Sequence, residues 1–445
     1  MIPSTLISDL LLKTVRMFYL QRCGIALQPE YAGDFAHPAC HTVLSRIYGS
    51  DKKTDVTGGW HDAGDYGRYT VPAAKAAVDL LLAYEAAPGL FADDTGIPES
   101  GNGVPDILDE ARWGIEWMLK MIRPDGAAHH KVTCAGFCGM IPPHLEREET
   151  FLSPVSTAAT GDLAGTLALA ARIFQPFDDA FAQECLDAAK TAYAFLVSSP
   201  PLPFHNPPEI TTGEYDDECD MDERFFAAAS LFAATGESSY RSGAKALLAH
   251  GLPVSLGWAD MAGYGYVSCL RGFQAADDEF MAGLRETLLS EAVRLTEWSE
   301  HSPYGVSLGE TLLWGSNMYL LNNAILIGEA HRLRPSPRFA AAIERHLEYI
   351  LGNNPLSQCY VTGMGARSPQ HPHHRPSVAA GRPMPGMLVG GPDSGLHDPR
   401  AKELLAAKPA MECYLDDPES YSTNEVAIYW NSALVYALAL LEQRP

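Results

Sequence analysis

VPDILDEARWGIEWMLKMIR, residues 104–123, is the stretch that decides the fold. Ile107, Leu108, Ala111, Ile115, Met118, Leu119 and Ile122 return every three or four residues, which places them on one face of an α-helix. Pro105 stands at the first turn, where its missing N–H costs nothing, and Pro124-Asp125-Gly126 stops the helix. Working outward, the same periodicity predicts helices near 9–22, 72–86, 158–174, 180–198, 222–235, 239–250, 276–299, 316–332, 338–351 and 424–441. DERFFAAASLFAATG (222–236) is apolar on more than one face, the pattern of a helix packed on two sides. Strand alternation is sparse and βαβ alternation is missing. The expected fold class is all-α, a toroid of antiparallel helix pairs. No repeat is strict enough for a solenoid, and no linker divides the chain, so one domain over residues 1–445 is expected. The Gly/Pro-rich stretches 23–70, 93–106, 199–221 and 353–423 are too long for idle connections. At one end of a toroid they would build a cleft.

Composition narrows the function classes. Asp and Glu number 55 against 32 Lys and Arg, a formal net charge of -23. Such a surface repels phosphate backbones, so nucleic acid is not an expected partner. No apolar run approaches a membrane span. The N-terminal stretch is not read as a signal peptide, because Asp9, Lys13 and Arg16 interrupt it. Nine cysteines in no regular framework read as free thiols or metal ligands.

Three motifs carry chemistry. GGWHDAGDYG (58–67) sets Asp62 and Asp65 three residues apart in a Gly-rich loop beside aromatics. One carboxylate of such a pair can take a proton from water while the other holds that water. The spacing fits a calcium loop or an Asp-capped turn equally well. YSTNEVAIYWN (421–431) places Glu425 among aromatic and amide residues, with Thr423 as a candidate cap of a helix whose first turn holds Glu425. On its own, Glu425 reads as a charge complementing a helix dipole. LGNNP (351–355), GMG (363–365) and HPHHR (371–375) form the third motif, read as substrate hydrogen bonding or as plain loop surface. Glycosidic cleavage needs two carboxyl groups on opposite sides of the bond, about 6.5–9.5 Å apart when the configuration inverts. The first two motifs supply such a pair.

Together with IPESGNGVPDILDE (97–110), these motifs resemble glycoside hydrolase family 9, the inverting endoglucanases and cellulases with an (α/α)6 barrel. The resemblance runs from Arg22-Cys23-Gly24 to Asn431. It implies an endo-acting β-1,4-glucanase, with exo-acting cellodextrinase, cellobiohydrolase or glucosaminidase as alternatives. It implies Asp65 as catalytic base, Asp62 as its assistant and Glu425 as general acid. It places Trp314, Tyr319, His373, Arg375 and Trp430 in the glucan cleft and offers His130 as a contact to the non-reducing side. Aromatic faces suit the apolar faces of pyranose rings. The expected partner is a β-glucan polysaccharide or oligosaccharide, met by a monomer away from any membrane, outside the cell. With no export signal read in the chain, the cytoplasm stays open.

One structural zinc and one or more calcium ions are expected, and no organic cofactor. Cys23, Cys40, His41 and His61 supply four N/S ligands, a closed structural zinc set. The family subgroup that carries an N-terminal immunoglobulin-like module has zinc ligands of these types at matching places. Neither that module nor a carbohydrate-binding module is expected here. The run Glu214–Glu223 is dense in oxygen ligands. The resemblance implies calcium at Asp222 and Glu223, helped by Glu218 and Asp260. Two other functions compete. A non-catalytic glycan-binding protein needs the aromatics without the carboxyl pair, and a zinc hydrolase needs an open metal position.

Overall fold

The computed structural model describes residues 2–273 and 278–442. Among them, twelve long helices alternate between an outer and an inner ring. The outer helices are α1 (Ser4–Leu20), α3 (Asp106–Met121), α5 (Asp179–Ser198), α7 (Ser238–Leu248), α9 (Glu279–Glu300) and α11 (Pro337–Ile350). The inner ones are α2 (Thr70–Ala86), α4 (Thr157–Phe174), α6 (Met221–Thr235), α8 (Ala262–Gly272), α10 (Ser316–Leu333) and α12 (Ile428–Glu442). This is an (α/α)6 barrel.

Side-chain pattern sorts the two rings. Outer helix α11 buries Phe339, Ala342, Ile343, His346, Leu347 and Ile350, one stripe at helical spacing. Inner helices are buried all round, α2 from Thr70 to Ala83 and α12 from Ile428 to Leu441. Small residues let the inner helices meet. A Cβ on Gly165 of α4 would stand 2.3 Å from the Phe226 ring of α6. Packing runs α12–α2–α4–α6–α8 and α10–α12. Between α8 and α10 the ring closes through ion pairing of Arg271 with Glu329, whose carboxylate also accepts from Tyr436 of α12 at 2.7 Å. Inside the barrel, Asp79 of α2 accepts from Lys75, Tyr264 and Ser432, each at 2.7 Å, so a buried cation is paired and hydrogen-bonded.

The predicted helices match these elements to within a few residues, and the start predicted at 276 lies outside the described residues. Two readings change. Helix α8 is not among the predicted helices; it carries Gly263, Gly265 and Gly272. The glycines are there for contact: a Cβ on Gly265 would stand 2.6 Å from Phe225. The helix predicted over 424–441 is broken as well. Tyr421–Asn424 form one turn, Glu425 is extended with ψ 160°, and α12 starts only at Ile428.

Short strands among the loops frame one end of the barrel: β1 (Ser45–Ile47), β2 (Lys53–Thr54), β3 (Arg68–Tyr69), β4 (Ala128–His129), β5 (Lys131–Thr133), β6 (Phe151–Leu152) and β7 (Val155–Ser156). Five join in the order β2-β1-β6-β5-β3, with β1–β6 parallel, and β4 pairs β7. Antiparallel β3 and β5 set Tyr69 opposite Lys131 beneath the long loops.

Candidate active site

The 58–67 loop and the 421–431 segment meet at the same end of the barrel. Ile428 N–H donates to the Asp62 carbonyl at 2.8 Å, and Gly64 N–H donates to Glu425 Oε1 at 3.3 Å. Glu425 is not a helix-dipole charge: its backbone is extended and bridges to His373, and Thr423 caps no helix but pairs with Ser420 through the hydroxyls. Gly64 is required by proximity, since a Cβ there would stand 2.3 Å from the His373 carbonyl. Asp62, Asp65 and Glu425 all line one pocket of about 430 Å³.

Each aspartate has a tyrosine partner. Tyr69 donates to Asp65 Oδ2 at 3.0 Å, and Gly67 N–H donates to the same oxygen at 2.9 Å. Tyr215 donates to Asp62 Oδ2, while buried Asp62 Oδ1 has no partner. Burial pushes the Asp62 carboxyl well above the usual range, helped by the Asp65 charge and opposed by Tyr215. Glu425 is raised in the same way, first by burial of its carboxyl and then by the charges of Asp65 and Asp62.

Trp314, Tyr319 and Trp430 line this pocket. Trp314 and Tyr319 stand about 40% exposed, as side chains open to a ligand, whereas Trp430 is sunk at 3%. The remaining expected contacts, His373, Arg375 and His130, are not among the residues lining it. His373 Nδ1 lies 2.5 Å from the Pro418 carbonyl, and its ring packs on Tyr421. Arg375 is buried, and its guanidinium donates to the carbonyls of Gly64 (2.7 Å) and Cys138 (3.0 and 3.1 Å). It clamps the aspartate loop to the 134–141 loop. His130 is corrected outright. It is fully buried against Phe204, with its nitrogens 2.8 Å from Ser156 Oγ and 3.0 Å from the Tyr215 carbonyl, so it has no face toward a ligand. Tyr69, Phe137, Tyr215, Trp258 and Tyr429 complete the pocket and were missed. Tyr429 stood inside the 421–431 motif and Tyr215 inside the acidic run 214–223, while Tyr69, Phe137 and Trp258 lie outside every quoted motif.

Cys23, Cys40, His41 and His61 come together, with one candidate ligand atom from each lying within 4.8 Å of the others. Glu146 takes His41 Nε2 at 2.8 Å, which leaves His41 Nδ1 buried without a partner, as a ligand nitrogen would be. Burial opposes ionisation of Cys23, yet the Cys40 thiol and Arg68 hold it well below the usual thiol range. This donor set fits a closed four-ligand metal site.

The second set is redrawn. Glu218 is exposed and pairs with His205 at 3.3 Å, away from the others, because its loop turns it to solvent. Asp162 and Asp217, not expected here, lie close enough to Glu223 for their charges to raise it. Both carboxylate oxygens of Asp162 and of Glu223, and Asp217 Oδ2, are buried without hydrogen-bond partners. Burial, then Asp222, Asp162 and Asp217, push Glu223 well up, and burial first lifts Asp222 to about 6. Asp222 Oδ2 accepts from Met261 N–H at 2.7 Å, and Asp260 accepts from Ser255. Uncompensated buried carboxylates of this kind fit a hard cation. Asp93, Asp106 and Asp109 form a further carboxylate group, with Asp106 Oδ1 buried and unpartnered.

A family model described as "Glycosyl hydrolase family 9" matches residues 8–438. A cellodextrinase of Butyrivibrio fibrisolvens is 38% identical over 457 residues, covering 97% of this chain and 83% of that protein. A mutant thermostable endoglucanase of Alicyclobacillus acidocaldarius superposes with a TM-score of 0.94 at 42% identity, covering 98% of this chain and 84% of the other. A zinc-binding triple mutant of a family 9 endoglucanase gives a TM-score of 0.93 at 30% identity, covering 98% and 85%. The chain belongs to glycosyl hydrolase family 9.

Proposed function

We propose that this chain hydrolyses β-1,4-glucosidic bonds with inversion of configuration, Asp65 serving as base and Glu425 as acid. The carrying observation is the pair of aspartates and the raised Glu425 on the walls of one aromatic-lined pocket. The raised pKa keeps Glu425 protonated where it meets the leaving oxygen. Two donors hold Asp65 Oδ2, which leaves Oδ1 to take a proton from water. Asp62, protonated or hydrogen-bonded through Tyr215, helps hold that water. Trp314 and Tyr319 offer faces to the sugar rings. A glycan-binding protein without catalysis has no use for the raised acid opposite two aspartates. Proton NMR early in cellotetraose hydrolysis tests the proposal: α-anomeric product is expected, and initial β product sinks it.

Endo action on soluble β-glucan is the favoured mode, supported by the likeness to endoglucanases. Cellodextrinase action is the second reading, supported by the Butyrivibrio relative, and product profiles on cellodextrins of increasing length separate the two. We assign zinc to Cys23, Cys40, His41 and His61. A bound zinc would supply no chemistry to the substrate and would tie Arg22–Gly24 to the loop that begins at His61. We assign calcium to Asp222, Glu223 and Asp260 with Asp162 and Asp217. Polymeric substrate makes the cell exterior the place of action.

A further inference from the structure

Lys131 is a buried cation, 1% exposed, with no task in the reaction just described. Taking an ammonium out of water is costly unless it is well paired, so its presence calls for a reason. On β5 it stands directly opposite Tyr69 on β3, and such cross-strand neighbours share a face. Its nitrogen lies 5.5 Å from the Tyr69 ring centroid and 5.7 Å from that of Phe204. Its N–H groups meet three acceptors: the Gly213 carbonyl at 2.6 Å, Thr212 Oγ1 at 3.0 Å and the Thr212 carbonyl at 3.4 Å. Thr133 adds a second tie to Thr212 Oγ1 at 2.8 Å.

Those acceptors belong to the segment that carries Tyr215. Thus one ammonium touches both supports of the aspartate pair: the Tyr69 ring, whose hydroxyl reaches Asp65, and the loop whose Tyr215 hydroxyl reaches Asp62. The two tyrosine rings also lean on each other, 4.9 Å between centroids. Burial lowers Lys131 to about 7 against the pull of Asp65 and Glu214, and the neighbouring His130 is driven down by burial to about 3, so below neutral pH the cation is Lys131.

We propose that Lys131 is a positioning residue, whose ammonium pins Tyr69 and the Thr212–Tyr215 segment and so fixes the carboxyls of Asp65 and Asp62 for water attack. The proposal rests on the reading of these aspartates as the reacting pair. Misplacing reacting groups by about 1 Å costs about a hundredfold in rate. Lys131→Met is therefore expected to lower kcat on cellotetraose at about pH 6 by about a hundredfold, with KM little changed and the far-UV CD spectrum intact. Lys131→Arg, which keeps the charge, is expected to regain about tenfold of that loss. Combining Lys131→Met with Tyr69→Phe is expected to cost less than the product of the two single losses, because both cut the same support. A kcat near that of the parent, a loss confined to KM, no rescue by Arg, or fully multiplicative losses would each overturn the assignment. If Lys131→Met does not fold, the Arg and Tyr69→Phe variants decide: both must lower kcat without raising KM. Asp65→Asn separates the two levels. Should Asp65→Asn stay active, the catalytic reading falls; should it be dead while Lys131→Met is fully active, only the role of Lys131 falls.

Discussion

Replacing Glu425 by Gln exchanges the acidic O–H for a non-acidic NH2 and changes little else. The amide keeps the size of the carboxyl, and its oxygen still accepts from Gly64 N–H, the hydrogen bond at 3.3 Å that holds the side chain. Trp314, Tyr319 and the other pocket residues, proposed to bind the substrate, are untouched. What disappears is a carboxylic acid kept protonated by burial and by the charges of Asp65 and Asp62. A positioned general acid contributes about 10²–10⁴-fold, or about 3–5 kcal/mol of barrier at 1.36 kcal/mol per tenfold. The shielded setting of Glu425 places the expected loss near the upper end for a poor leaving group. The assay compares kcat/KM on cellotetraose, whose sugar oxygen must be protonated as it leaves, with that on 2,4-dinitrophenyl β-cellobioside, whose phenolate leaves unaided. Cellotetraose turnover is expected to fall about a thousandfold or more and aryl cellobioside turnover by less than about tenfold. Equal losses on both substrates, or a loss under about tenfold on cellotetraose, would refute the assignment of Glu425 as acid.

The remaining predictions use the same site and its supports. In the parent enzyme, activity on cellotetraose is expected to fall on the alkaline side as pH rises through the raised pKa of Glu425 and the lowered one of Lys131, and a pH profile of kcat/KM that stays flat there contradicts both. Asp62 and Glu425 have folded-state pKa values above their unfolded ones, so their contribution to stability is complete below the ordinary carboxylate range and lost as pH rises through the folded values. Asp62→Asn is accordingly expected to raise the melting temperature at pH 7 while severely lowering kcat, and calorimetry showing a lower melting temperature counts against the sign. Gly114→Ala puts a Cβ 2.2 Å from the Trp60 ring behind the aspartate loop; overpacking of this kind costs about 1–3 kcal/mol, read as a lower urea midpoint. A zinc chelator is expected to unfold the protein and inactivate it at the same pace, and a fully folded, inactive, chelated enzyme would return zinc to the chemistry.

The local sequence determined much. Helical spacing in residues 104–123 and its counterparts fixed eleven helix positions, because a buried stripe must recur every three or four residues. Ordered motifs named the two aspartates and Glu425, and the Cys/His set came together as its residue types require. What failed were inferences from a residue's immediate neighbours. Helix α8 was not among the predicted helices, and its Gly265 answers to Phe225, which is distant in sequence. Glu425 looked like a helix-end charge because its bridge to His373 lies 52 residues away along the chain. His130 and Arg375 looked like ligand contacts, yet their polar atoms are committed to carbonyls and a hydroxyl of other loops. Glu218 and Asp217 differ by one position, and only the turn of the loop decides which faces Glu223. Residue type and spacing record what a side chain is able to do. Which surface it faces depends on long-range packing, and only the tertiary structure decided that, including the buried Lys131 beneath the aspartates.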